Sequence, residues 1–421
     1  MSVAGIINAR RRERDGLWTF RLAGGRITAV EAQDGHREVG KAEAGEMIDA
    51  DGGLVTPSLV DPHVHLDLAY SLDLVPENES GTLREAIELW SRAKVDLSAE
   101  NVRARARRAI EAEIGFGTGV LRSHVDVGST AGMRLCEGVL AARDDTSREC
   151  KIQLVAFPQD GLIRDPGAVE QMREALRSGV DLVGGIPHIE RVQRDGIRHL
   201  ELVFDLAEEF NTNIDVHIDE TDDAQSRYTE QLAAMTIERG WQGRVNASHV
   251  CALSSYADVH AAKVIDLLAE ARVSVVTNPG VNLHLQGRCD GYPKRRGLTR
   301  VRELLDAGVT CAAGQDCISD PFYPLGTGQL LEQVFLLVHA EHMSSPRRIH
   351  QAIEMVCCRA GEVLGLGRHR AELGGTANLA VFPVENAMDL VRMRPRPRFV
   401  VHGGTLVAPM GGRGGASGGA R

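Results

Sequence analysis

The sequence predicts an α/β fold, a (β/α)₈ TIM barrel with a small β-sandwich domain formed by both ends of the chain. Strand-like apolar runs alternate with amphipathic helical segments through the middle of the chain, which is the pattern of a parallel β/α fold. Short β-like runs separated by Gly, Asp and Asn lie near both ends. The alternation recurs often enough to favour a closed barrel over an open sheet.

The terminal runs predict the small domain. They are GLWTFRLAGGRITAVEA and GEMIDADGGLVTPSLVD near the start, and ANLAVFPVE and RFVVHGGTLVAPM near the end. Two half-sheets from opposite ends of the chain can pair into one β-domain, which we expect to comprise residues 1–56 and 368–410. Residues 411–421 are too rich in glycine to order, and we expect a disordered tail there.

The middle of the chain, residues 57–367, is the predicted barrel. Its strand-like runs are GVLRSHVDV, KIQLVAFP, DLVGGIPHIE, TNIDVHIDE, RVNASHV, VSVVTNPGVNLH and VTCAAGQDC. Helical segments such as LREAIELWSRAKVD and VEQMREALRSG separate them. In a β/α barrel the carboxyl ends of all strands meet at one mouth, so side chains at those ends are candidates for a shared site.

Composition excludes several classes of function. The formal net charge of −10 over 421 residues argues against a nucleic-acid partner, because phosphate binding needs clustered Lys and Arg. No signal-like segment and no apolar stretch of membrane-spanning length occurs, so we expect a cytoplasmic protein without a membrane partner. The eight cysteines form no CxxC pair, which favours reduced thiols.

The segment TPSLVDPHVHLDLAY places His63 and His65 one residue apart. With 15 His in 421 residues, on the order of 0.5 such pairs is expected by chance, so the pair alone is weak evidence. Three further residues strengthen it, because His217, His249 and Asp316 each close a strand-like run. Each histidine taken singly could equally be a hydrogen-bonded packing residue.

Together, these residues predict a metal centre. Two imidazoles from alternate positions of one strand share a face, and a third imidazole with a carboxylate completes an N₃O set. Such a set suits one divalent ion, Zn²⁺ or Fe²⁺, and leaves a position for water.

A metal-activated water needs a proton carrier on the leaving side of the substrate. Glu220 stands three residues after His217 and is our candidate general acid/base. The alternative is that Glu220 begins the acidic run that caps the next helix. His249 is a candidate for orienting the attacking hydroxide, and its alternative is a buried core histidine.

Six segments closely resemble bacterial cytosine deaminases of the amidohydrolase superfamily. They are FPQDGL, GGIPHIE, DVHIDETDDAQSRY, ASHVCALSSY, NPGVNLHLQGRCDGYPKRRGLTRV and GQDCISDPFYPLGT. The similarity covers nearly the whole chain, from the early β-region to VVHGGTLVA. The resemblance implies a mononuclear-metal (β/α)₈ barrel with a β-sandwich from both termini, and an iron- or zinc-loaded homo-oligomer that acts on a small-molecule free nucleobase.

The resemblance also implies roles for single residues. The metal ligands of the family match His63, His65, His217 and Asp316. Its proton shuttle matches Glu220, and its hydroxide-orienting histidine matches His249, so we expect the water to lose a proton to His249 or to the ligand Asp316. Gln159 matches the side chain that reads the amide edge of the pyrimidine, for which an amide offers both donor and acceptor. Leu83 matches a backbone contact to the ring, whereas His124 and His188 have no matched role and we expect both to be structural.

Two residues depart from the family pattern. Cys317 stands where the family has a second Asp near the pyrimidine amino group and C5 position, and Phe322 replaces a larger Trp. A thiol tolerates apolar neighbours, so we expect a pocket that favours a 5-substituted cytosine, 5-methylcytosine above all. The alternatives are deamination of plain cytosine, isoguanine or creatinine, an N-alkylammelide-type amidohydrolase, and a metal-holding binding protein without catalysis.

Overall fold

The computed structural model describes residues 1–38 and 45–409, and the predicted tail 411–421 lies outside these ranges. Numbered along the chain, the described strands are β1 Val3–Arg11, β2 Arg14–Ala23, β3 Arg26–Gln33, β4 Glu46–Asp49, β5 Leu54–Pro57, β6 Leu59–Val64, β7 Thr118–Asp126, β8 Lys151–Phe157, β9 Leu182–Gly185, β10 Asn213–Ile218, β11 Val245–His249, β12 Ser274–Thr277, β13 Cys311–Ala313, β14 Leu379–Phe382, β15 Phe399–His402 and β16 Thr405–Pro409. The described α-helices are α1 Leu83–Ala93, α2 Ala99–Gly115, α3 Arg134–Asp145, α4 Ala168–Arg177, α5 Gln193–Phe210, α6 Tyr228–Glu238, α7 Asp258–Glu270, α8 Pro279–Leu285, α9 Val301–Asp306, α10 Leu330–Ala340, α11 Pro346–Glu354, α12 Cys358–Val363 and α13 Ala387–Met393.

Strands from both chain ends form one curled mixed sheet, as the sequence predicts. Its order is β16-β15-β14-β5-β1-β2-β3, and β4 pairs with β1. The two ends meet where β5 and β14 run antiparallel, with Thr56 opposite Ala380. We propose the division into a small domain of residues 1–56 and 368–410 and a barrel domain of residues 57–367.

The remaining eight strands, β6 to β13, form a parallel sheet in chain order. The first and last strands meet through a parallel bridge between Val64 and Asp316, which nearly closes the sheet. The Asp316 amide donates to the His63 carbonyl at 2.7 Å, and the His65 amide donates to the Asp316 carbonyl at 2.9 Å. The structure therefore confirms the predicted TIM barrel.

Burial explains why the barrel strands read as continuous apolar runs. Every residue of β7 is buried, because barrel strands are covered on both faces by side chains and helices. Polar side chains mark the helix starts instead. The Thr82 side chain accepts a hydrogen bond from the Glu85 amide at the start of α1, and the Ser98 side chain accepts one from the Asn101 amide at the start of α2.

Three strand-like runs are much shorter in the structure than the sequence predicts, among them VTCAAGQDC, which forms β13 only over Cys311–Ala313. The run VSVVTNPGVNLH forms β12 only as far as Thr277, and α8 then begins at Pro279, a residue well suited to the first helical position. The run DLVGGIPHIE forms β9 only over Leu182–Gly185.

Among the described residues, no helix is both long enough and apolar enough to cross a bilayer.

Candidate metal centre and active site

The candidate site lies at the carboxyl ends of the barrel strands. His63 is the penultimate residue of β6 and His65 follows that strand, so both side chains point to the same face. His217 lies in β10, His249 ends β11, and Asp316 follows β13. All five side chains are buried, so the structure brings together the residues that the sequence places at separate strand ends.

Four of these side chains are linked by short separations between their donor atoms. His65 Nε2 and His217 Nε2 are 3.0 Å apart, and Asp316 Oδ1 lies 3.6 Å from both His63 Nε2 and His65 Nε2. Donor atoms bound to one tetrahedral ion at ~2.1 Å lie about 3.4 Å from one another. The three observed separations are close to that value.

The unpaired polar atoms also fit a cation. Among the described residues, His63 Nε2 and Asp316 Oδ2 are buried and have no hydrogen-bond partner, which is costly unless an ion or water satisfies them. Burial, together with the neighbouring imidazoles, lowers the pKa of His63, His65 and His217 well below the usual range. The imidazoles are therefore neutral, which is the form that binds metals.

Two further histidines lie near these atoms. Buried triads whose donor atoms all lie within 4.8 Å of one another are His63, His124 and His217, and His63, His249 and Asp316. His124 Nε2, however, lies 3.3 Å from Asp215 Oδ1, and its ring packs against His63 with centroids 4.1 Å apart. His124 therefore faces a carboxylate of the barrel interior as well as the cluster.

Glu220 is buried beside His249, with Oε1 3.4 Å from His249 Nδ1. Burial raises the pKa of Glu220 to about 8, so this carboxyl carries a proton near neutral pH. Asp219, rather than Glu220, bonds the start of the next helix. Its Oδ2 accepts a hydrogen bond from the amide of Thr229 at 2.7 Å near the start of α6.

Asn282 was not predicted from the sequence to lie at the site. Its Nδ2 lies 3.0 Å from His249 Nδ1.

The candidate substrate residues line one cavity of about 450 Å³ of empty space, part of it open to solvent. Gln159, Leu83, Cys317 and Phe322 all lie on its wall with Glu220. The rest of the lining was not predicted from the sequence. It consists of His188 and seven apolar residues, namely Leu68, Ile87, Phe157, Ile186, Ile189, Val281 and Leu285. Among the described residues no Lys or Arg lines the cavity.

Cys317 lies between two carboxyl groups. Its Sγ is 3.7 Å from Asp316 Oδ1. Burial, followed by the charge of Asp320, raises the pKa of Cys317 well above the usual range, so the side chain is a neutral thiol. The buried Asp320 accepts backbone hydrogen bonds from Phe322 at 2.9 Å and Tyr323 at 3.0 Å, and thereby shapes the loop that carries Phe322.

The family of the chain follows from its similarity to known proteins. Residues 46–408 match the model of the amidohydrolase family. This chain belongs to the amidohydrolase family. It is therefore a hydrolase of carbon–nitrogen bonds, and members of this family generally use a divalent metal.

Individual amidohydrolases cover most of this chain. A crystal structure of 5-methylcytosine deaminase from Klebsiella pneumoniae, liganded with 5-fluorocytosine, is 36% identical with a TM-score of 0.91 and covers 98% of this chain and 99% of that chain. N-isopropylammelide isopropyl amidohydrolase from Pseudomonas sp. (strain ADP) is 28% identical over 89% of this chain and 90% of the relative. Pterin deaminase from Rhizobium rhizogenes is 29% identical over 84% and 80%, respectively. These similarities confirm the predicted likeness to cytosine deaminases, while the relatives differ in named substrate.

Proposed function

We propose that this amidohydrolase is a metal-dependent hydrolytic deaminase of a free cytosine-type base, with 5-methylcytosine as the favoured substrate. The observation that carries the proposal is one cavity lined by the Glu220 carboxyl, the Gln159 amide and the Cys317 thiol. The products would be ammonia with thymine from 5-methylcytosine, or with uracil from cytosine.

We assign the metal to His63, His65, His217 and Asp316. The distances between their Nε2 and Oδ1 atoms support one ion, Zn²⁺ or Fe²⁺. When bound, such an ion lowers the pKa of water enough to supply hydroxide near neutral pH. We leave His124 out of this set because its Nε2 faces Asp215 Oδ1 at 3.3 Å.

The side chains of the protein then move the protons. Asp316 or His249 accepts the proton of the attacking water, because Asp316 is one of the proposed ligands and His249 Nδ1 lies 3.8 Å from its Oδ2. Protonated Glu220 delivers a proton to ring N3, which makes C4 more electrophilic. The hydroxyl group of the tetrahedral adduct then loses its proton to the C4 amino group, so that the C4–N bond breaks, ammonia leaves and the water oxygen becomes the C4 carbonyl oxygen. The proton taken up by Asp316 or His249 returns to Glu220.

Recognition rests on the cavity wall. The Gln159 amide offers a donor and an acceptor to the amide edge of the ring, and Leu83 adds a backbone contact. Cys317 and Phe322 line the same cavity, where we place the C5 substituent. A methyl group packs against a neutral thiol at lower cost than against a carboxylate, which would lose hydration. The likeness to the Klebsiella pneumoniae enzyme supports this choice.

Ammonia release from the purified, metal-loaded protein tests the proposal. Cytosine, 5-methylcytosine, isoguanine, creatinine, pterin and N-isopropylammelide are compared by kcat/KM under one set of conditions. We expect 5-methylcytosine to have the highest value. Higher activity on cytosine would make Cys317 neutral for specificity, and release of isopropylamine would assign the chain to N-alkylammelide hydrolysis. Stoichiometric metal without turnover of any compound would favour a metal-holding protein.

A further inference from the structure

A buried hydrogen-bonded chain lies behind His63. The Nδ1 atom of His63 is 2.9 Å from Ser248 Oγ, and Ser248 Oγ is 3.1 Å from Asp215 Oδ1. None of the three side chains is exposed, each having 0% relative accessible surface. Ser248 and Asp215 lie on adjacent strands, and each precedes a histidine of the site along its own strand. The proposed function assigns no role to either residue.

The carboxylate at the end of this chain is firmly held. Arg122 Nη1 donates to Asp215 Oδ2 at 2.8 Å, and Asn246 Nδ2 donates to Asp215 Oδ1 at 2.8 Å. The ring of His124, which packs on that of His63, places its Nε2 3.3 Å from the same Oδ1 atom. Asp215 is therefore a fixed acceptor rather than a mobile side chain.

The direction of the hydrogen bonds follows from the chemistry of each group. An ionised carboxylate only accepts, so the Ser248 hydroxyl donates to Asp215. The Ser248 oxygen is then free to accept, and it accepts from the Nδ1–H of His63. Asn246 Nδ2 also reaches this oxygen at 3.2 Å. His63 is thereby held with its proton on Nδ1, and the lone pair of Nε2 faces Asp316 Oδ1 at 3.6 Å.

We propose that Ser248 and Asp215 are positioning residues that fix the tautomer and the ring orientation of His63 for metal binding. Partners of this kind, which hydrogen-bond the second nitrogen of a ligating imidazole, typically change metal affinity 10- to 100-fold when removed, to order of magnitude. The inference rests on the proposed function only in taking His63 as a metal ligand. It also gives His124 a place, as a side chain that packs on His63 and contacts Asp215.

The test is Ser248→Ala in the full-length chain, with the zinc dissociation constant measured by competition against a chromophoric chelator. We expect zinc binding about 10- to 100-fold weaker than in the wild type. Ser248→Thr keeps the hydroxyl and should bind zinc within a few-fold of the wild type. The matched control is Thr236→Val, because this buried hydroxyl donates to the Leu232 carbonyl within α6. We expect wild-type zinc affinity in the control.

Zinc affinity within twofold of the wild type in S248A would overturn the proposal, as would an equal loss in T236V. Should S248T be insoluble, the comparison of S248A with T236V decides. The readout involves no substrate, so a wrong base specificity leaves it unaffected. A wild-type chain that binds no zinc or iron would refute the metal centre itself, and the positioning roles with it.

Discussion

Replacement of Cys317 by Asp is the sharpest test of base specificity. The thiol is 3% exposed and its Sγ lies 3.7 Å from Asp316 Oδ1, so the new carboxyl would be a buried part of the cavity wall. A pocket that accepts or rejects one methyl group discriminates by about 1–3 kcal/mol. Asp320 and Asp316 already lie beside this position, and like charges raise the pKa of an added carboxyl and so reduce its charge. We therefore expect a change of about 1–2 kcal/mol, or roughly 5- to 30-fold.

The assay is kcat/KM for 5-methylcytosine divided by kcat/KM for cytosine, both from ammonia release with one enzyme preparation. Cys317→Asp should lower this ratio by that factor at unchanged metal content. Cys317→Ser, similar in size and uncharged, separates charge from shape and should change the ratio less. Cys251→Ser removes a buried thiol outside the cavity lining and should leave the ratio unchanged. An unchanged ratio in C317D, or an equal change in C317S, would refute the charge argument.

Further predictions concern the proton carrier, the amide and the metal. Glu220→Gln should keep stoichiometric metal while kcat falls about 10²- to 10⁴-fold, and retained turnover would remove Glu220 as proton carrier. Burial raises the pKa of Glu220 to about 8, so its donor form is present below that pH and is lost above it. Because a bound cation lowers this pKa, kcat/KM should begin to fall at or below pH 8, and a rate that still rises at pH 10 would contradict this assignment. Gln159→Leu should lower kcat/KM by a factor that corresponds to about 1–3 kcal/mol in activation free energy, with unchanged metal content. A loss of metal would contradict a role for Gln159 in binding the base. Chelation should abolish ammonia release and lower the melting temperature, and added Zn²⁺ or Fe²⁺ should restore both.

The barrel could be predicted because each of its strands is an apolar run of its own. Strand β1 was not predicted, because Gly5, Asn8 and the two arginines at its end interrupt its apolar pattern. Its pairing with β2, β4 and β5 is seen only in the folded sheet. The helix α8 was also not predicted, for a different reason. Its apolar residues continue a β-branched strand, and only Pro279 marks the change.

The grouping of the candidate metal ligands could be predicted because strand ends converge in any β/α barrel, whatever the pairing register. The residues behind them could not. Asp215 and Ser248 lie within β10 and β11, and their contact with His63 depends on how these strands pack around the barrel axis. Val281 and Leu285 line the cavity from the helix α8. Because the sequence predicts a strand there, these two lining residues could not be predicted.

The candidate metal ligands are also part of the seam that closes the barrel. Asp316 joins β6 through backbone hydrogen bonds to His63 and His65, so one stretch of backbone both closes the sheet and places three candidate ligands. Asp316 holds this position with φ of +68°, a left-handed conformation that costs a non-glycine residue of the order of 1 kcal/mol or more. His249 has φ of +73° at the end of β11. Strain at two adjoining site residues persists only where surrounding structure compensates for it, and a bound cation would add to the backbone bonds at the seam. Barrel closure and ligand placement are therefore one structural requirement, and neither is independent of the other.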